Sequence, residues 1–223
     1  MSDASETDRG PIFPPWFDNA VKVIGAFMGV GLVFYVTLFV LAASPSNLDV
    51  GYQPDQPIPY SHQLHVGELG MDCRYCHTMV EETSAATVPP TATCMNCHAT
   101  ILTDSDELVP LMESWATGLP VRWKRVHDLP DYAYFDHSAH VNRGIGCISC
   151  HGRIDKMPVV RQVEPLSMGW CLECHREPEK HLRPQDQITS MTWTPEGDQL
   201  ELGRRIREER DINPSTSCST CHR

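Results

Sequence analysis

The sequence predicts a mainly α-helical and irregular fold with little β structure, joined to one N-terminal transmembrane helix. Three observations predict it. Val23 to Ala43 is a 21-residue run without a charge. The 180 residues after it hold only 13 Leu, 8 Ile, 11 Val and one Phe, and are broken repeatedly by proline. All ten cysteines fall in C-x-x-C pairs.

The apolar run comes first. At about 1.5 Å per residue it spans roughly 31 Å, the thickness of a bilayer's hydrocarbon core. It is longer than the apolar region of a signal peptide. A buried helix of this kind would need an apolar partner that the rest of the chain does not provide. Trp16 and Phe17 fall where an interfacial aromatic belt lies, and Pro45 ends the helix beyond it. Arg9 and Lys22 precede the run, and no Lys or Arg follows until Arg74. The charge bias therefore predicts a cytoplasmic N-terminus, with residues 44–223 on the periplasmic face of a bacterial membrane.

The remainder is too poor in aliphatic and aromatic residues for a protein-only core. A net charge of −11 argues against nucleic acid as a partner. The cysteine pairs explain how such a chain folds. Each is followed at once by histidine: CRYCH (73–77), CMNCH (94–98), CISCH (147–151), CLECH (171–175) and CSTCH (218–222). C-x-x-C-H attaches c-type haem. Two thiols add across the two vinyl groups, and the adjacent imidazole binds the iron from below. The expected cofactors are five haem c. Cys73, Cys76, Cys94, Cys97, Cys147, Cys150, Cys171, Cys174, Cys218 and Cys221 carry the thioethers. His77, His98, His151, His175 and His222 are the proximal ligands. Zinc sites and redox dithiols also use C-x-x-C, but neither requires histidine after every pair. The predicted domain is thus a multihaem cytochrome c with a haem-packed core.

Two stretches repeat. Tyr60-Ser-His62-Gln-Leu-His65-Val66 precedes Cys73, and Phe135-Asp-His137-Ser-Ala-His140-Val141 precedes Cys147. A second attachment motif follows in each case, which reads as a duplicated two-haem unit with a fifth haem appended. H-x-x-H sets two imidazoles one helical turn apart, one able to reach the local iron and the other a neighbour. This arrangement resembles class III cytochromes. The resemblance implies that His62 serves the first haem and His137 the third, while His65 and His140 cross to other haems. For the fifth distal ligand His127, in RWKRVHDLP, ranks first. Met168, in LSMGWCLECH, is the alternative, and His181 is weakest.

The expected organisation is a tail (1–22), anchor (23–43), Pro-rich linker (44–59), first haem module (60–98), connecting segment (99–134), second haem module (135–176) and C-terminal extension with the fifth haem (177–223). Residues 107–117 predict a helix ended by Gly118. Residues 198–210 predict a charged amphipathic helix, a solvated spacer or docking face, with Glu201 and Arg205 spaced to pair.

Together the anchor, YSHQLHVGELGMDCRYCH, RVHDLPDYAYFDHSAHVNRGIGC, LSMGWCLECHRE and the five motifs resemble the pentahaem subunits of alternative complex III, a bacterial quinol oxidoreductase. The resemblance implies electron transfer as a subunit of a larger complex, with no catalysis by the chain on its own. It also implies an iron–sulfur, molybdoenzyme-like partner, polytopic quinol-binding membrane subunits and a monohaem cytochrome c. The alternative is a self-sufficient, membrane-anchored multihaem quinol dehydrogenase. Against it stands the 30-residue, Pro-rich distance between the anchor and Cys73. A nitrite- or hydroxylamine-type reductase needs an open iron, and all five motifs end in histidine.

Overall fold

The computed structural model describes residues 13–44 and 48–222; Arg9 and Pro45 lie outside the described residues. The described residues fall into two units, an N-terminal helix and everything from residue 48 onward. Among them there is no β-strand, only an isolated bridge between Ile145 and Leu182.

The N-terminal unit is α1, Pro15–Ala42. Pro15 opens it where a missing N–H costs nothing. Asp18 and Lys22 occupy its first turns, and everything beyond is uncharged. No residue of it is buried, and it is long and apolar enough to cross a membrane. It takes in Trp16, Phe17 and Lys22, so the helix begins well before the uncharged run.

The second unit is a string of short helices separated by turns. A single π-helical turn covers Gln63–Glu68. It is followed by α2 (Cys73–Cys76), α3 (Thr91–His98), α4 (Val109–Thr117), α5 (His137–Val141), α6 (Ile148–His151), α7 (Met168–Arg176), α8 (Gln199–Glu209) and α9 (Cys218–Cys221). Capping explains several starts. Asp72, Asp136, Ser167 and Asp198 each accept a hydrogen bond from a main-chain N–H in the first turn of the helix they precede. Gly118, at φ 72°, ends α4 in the left-handed conformation that costs a residue without a Cβ little.

Apolar packing is confined to small clusters. Ile58, Met95, Leu108 and Leu111 form one, flanked by Trp123. Leu182, Ile206 and Ile212 form another. The expectation of a solvated spacer at 198–210 does not hold: α8 lies against the short 3-10 turn Pro178–Lys180, with Ile206 and Gly203 buried. Arg207 donates to the Glu179 carboxylate, and Gln199 Nε2 donates to the carbonyls of Glu179 (2.9 Å) and Leu182 (2.8 Å). Arg205 pairs at 4.0 Å with Glu209, one turn further along than Glu201 would place it.

Candidate haem-attachment sites

All five attachment motifs lie in short helices: α2, α6 and α9 are four-residue turns, α3 ends at His98, and α7 runs one residue past His175. What the fold adds is the anchoring of the rings. His77 Nδ1 lies 2.7 Å from the carbonyl of Thr87, His98 Nδ1 3.1 Å from that of Ile101, His175 Nδ1 2.7 Å from that of Ser215 and His222 Nδ1 3.1 Å from that of Tyr132. A carbonyl only accepts, so each of these rings carries its proton on Nδ1. The Nε2 lone pair is then free for a metal, as second-sphere bonds to ligating histidines arrange it.

The histidines upstream behave in the same way. His65 Nδ1 donates to the Ser61 carbonyl (2.8 Å), His140 Nδ1 to the Asp136 carbonyl (2.7 Å) and His137 Nδ1 to the Ser84 carbonyl (2.8 Å). The sequence repeat is also a structural one. Tyr60 stacks on His65 at 4.4 Å and meets His62 edge-on at 4.9 Å; Phe135 stacks on His140 at 4.6 Å and meets His137 edge-on at 4.8 Å. The two modules differ locally, since the first H-x-x-H leads into a π turn and the second lies in α-helix.

Upstream and attachment histidines meet in pairs. The ring centroids of His65 and His98 are 6.3 Å apart, those of His140 and His175 6.0 Å, and those of His137 and His151 6.4 Å with the planes 8° from parallel. Two imidazoles binding opposite faces of one iron, at metal–nitrogen distances of about 2 Å, stand with centroids about 6 Å apart. The spacing therefore fits the group that the motifs call for. His62 lies near His77 and His65. Burial lowers the pKa of His62 to about 4 and that of His151 to about 3, and lowers those of His127 and His140 as well. All four rings are neutral at neutral pH, the form that coordinates a metal.

The remaining candidates are placed differently. His127 packs edge-to-face on His151 at 4.4 Å and senses His137, whereas the ring contact of His222 is with Tyr132 (5.9 Å). The structure thus brings His127 to the third motif. Met168 sits exposed in the first turn of α7. His181 is half-buried after the turn Pro178–Lys180, its pKa lowered by burial.

The five motifs also follow one another in space. Asn96, in the second, donates to Tyr75 Oη of the first (3.1 Å). Cys73 and Cys147 lie beside one another, joining the first motif to the third. The loop 188–189 ties the same two together: Cys147 N donates to the Ile188 carbonyl (3.1 Å), and Thr189 donates to the Asp72 carboxylate (2.8 Å). Burial raises the pKa of Cys150 to about 12, with Cys174 and Cys171 of the fourth motif adding to the effect. His175 reaches the Ser215 carbonyl beside the fifth motif, and Cys171 senses Cys221. The spatial order is second, first, third, fourth, fifth.

Some functional positions carried no signal in the sequence. The carbonyls that orient the rings belong to Thr87, Ser84, Ser215 and Tyr132, and the fold alone delivers them. Tyr60 and Phe135 did carry one, as the aromatic that opens each repeat.

Residues 133–223 match the family of cytochrome c7 and related cytochrome c. This cytochrome c7-like segment holds the third, fourth and fifth motifs, and the first two precede it. The match makes this segment similar to c-type cytochromes, whose cofactor is haem c. The chain is also 39% identical over 100 residues to the multihaem cytochrome c subunit of menaquinone reductase from Nitratidesulfovibrio vulgaris (strain Hildenborough). That alignment covers 44% of this chain and 47% of the relative, so the chain matches about half of that protein's length.

Proposed function

We propose that the chain carries electrons through five c-type haems as the membrane-anchored subunit of a quinone/quinol oxidoreductase complex of the alternative complex III kind. The observation that carries the reading is the pairing of upstream with attachment histidines at 6.0–6.4 Å, three times over, beside C-x-x-C-H motifs. Closed, doubly ligated irons exchange electrons and leave no position open for a substrate. In this reading the ten cysteines hold the haems, and His77, His98, His151, His175 and His222 are the proximal ligands. The distal partner of His77 is His62, that of His98 is His65, that of His151 is His137 and that of His175 is His140. With His127 packed on His151, Met168 and His181 are the remaining candidates for the fifth iron.

Because the motifs lie in a row, electrons enter and leave at the second and fifth haems, with the first, third and fourth between. α1 anchors the chain, with its N-terminus cytoplasmic and the haem domain on the periplasmic side. The relative's description as a menaquinone reductase subunit supports a place in a quinone-linked complex. The partners in this reading are an iron–sulfur, molybdoenzyme-like subunit, polytopic quinol-binding membrane subunits and a monohaem cytochrome c.

The test is isolation from native membranes in mild detergent, with intact mass and subunit identification. The expected result is a chain heavier than its amino acids by five haems, accompanied by the partner subunits. Recovery as a lone chain that oxidises a quinol analogue unaided would instead establish the self-sufficient dehydrogenase.

A further inference from the structure

We infer that His127 is the hydrogen-bond acceptor of the third site's attachment histidine, its Nε2 receiving the Nδ1–H of His151. The inference rests on the haem-binding reading above and assigns a residue that the pairings leave over. Four of the five attachment histidines hand Nδ1–H to a main-chain carbonyl. His151 does not: its Nδ1 is buried and has no partner. The neighbour packed on it is His127, 4.4 Å away and edge-to-face at 78°, whose Nε2 is also buried and also unpartnered.

The chemistry of the two nitrogens is complementary in one way. His151 binds iron through Nε2, so its proton sits on Nδ1 and must be donated. His127 then accepts through Nε2, with its own proton on Nδ1. The two orphaned nitrogens belong to rings already in contact, and native interiors rarely leave such groups unmet.

Ligation of the same iron by His127 is excluded by spacing. At 4.4 Å it stands too near His151 to face it across a metal, and His137 already holds that position at 6.4 Å. His127 is therefore a positioning residue. It fixes the tautomer and ring angle of His151, and an imidazole acceptor raises the basicity of the ligand. A more basic axial ligand lowers the potential of its iron. The third motif lies in the middle of the row, so this bond sets the midpoint of the central step.

The experiment compares the full-length membrane protein with His127→Leu, which removes the acceptor, and His127→Gln, which keeps one. Haem per chain is measured by mass, spin state by electron paramagnetic resonance and midpoints by potentiometric titration. The expected result in His127→Leu is five haems, an unchanged set of low-spin irons and one midpoint raised while four hold. His127→Gln is expected to return that midpoint toward wild type. A new high-spin iron in either variant would show that His127 is itself a ligand and overturn the inference. So would a five-haem His127→Leu protein with all midpoints unmoved. Should His127→Leu fail to accumulate, His127→Gln decides by its spin state. Fewer than five haems on the wild-type chain would instead break the functional reading.

Discussion

At the scale of single residues, the sites are governed by which imidazole nitrogen keeps its proton. Carbonyls at 2.7–3.1 Å hold Nδ1–H on seven of the rings, leaving Nε2 to coordinate. Burial first, and neighbouring imidazoles after it, lower the pKa values of His62, His127, His140 and His151. His140, stacked on Phe135 and 6.0 Å from His175, gives a direct prediction. His140→Met keeps a sixth ligand but exchanges imidazole for thioether. One haem midpoint should rise by on the order of 0.1 V, a fraction of the range of about 0.8 V that axial ligands span. Potentiometric titration checks this, and an unchanged set of midpoints would remove His140 from the iron.

At the scale of elements, close approaches of backbone do what large side chains do in richer cores. A Cβ on Gly203 of α8 would lie 2.1 Å from the Glu179 carbonyl oxygen and 2.7 Å from that residue's Cα, both main-chain atoms. Alanine improves a helix interior by about 1 kcal/mol, but a clash against fixed backbone costs about 1–3 kcal/mol, and here the clash wins. Gly203→Ala is therefore expected to lower the thermal midpoint of the haem-loaded protein, read by circular dichroism. An equal or higher midpoint would mean that α8 does not rest on the turn Pro178–Lys180. Gly67 plays a similar part in the first module, where a Cβ would come within 2.3 Å of the Asp155 carbonyl oxygen. That contact seats the segment bearing His62 and His65 beside the loop that follows the third motif.

For the whole molecule, the small apolar clusters around Leu111 and Leu182 are far less than a domain of this length needs to offset its chain entropy. In the proposed reading haem supplies the missing apolar surface and pins the chain through thioethers, which makes folding and haem attachment one event. A chain made without haem attachment should be unfolded beyond α1. Rapid proteolysis of residues 48–223, and loss of helical signal outside the anchor, are the readouts. A cooperative thermal transition in the haem-free chain would contradict this.

The sequence by itself determined the C-x-x-C-H motifs, the duplicated H-x-x-H modules and the apolar helix, because each is a local pattern of spacing. It also placed the helices at 107–117 and 198–210, whose capping residues Gly118 and Asp198 are short-range signals. Only the tertiary structure decided that α8 is packed, that His127 lies against His151 and that the motifs are ordered second, first, third, fourth, fifth. Those outcomes depend on carbonyls, thiols and ring faces that meet across tens of residues, and no local pattern encodes which distant groups come together.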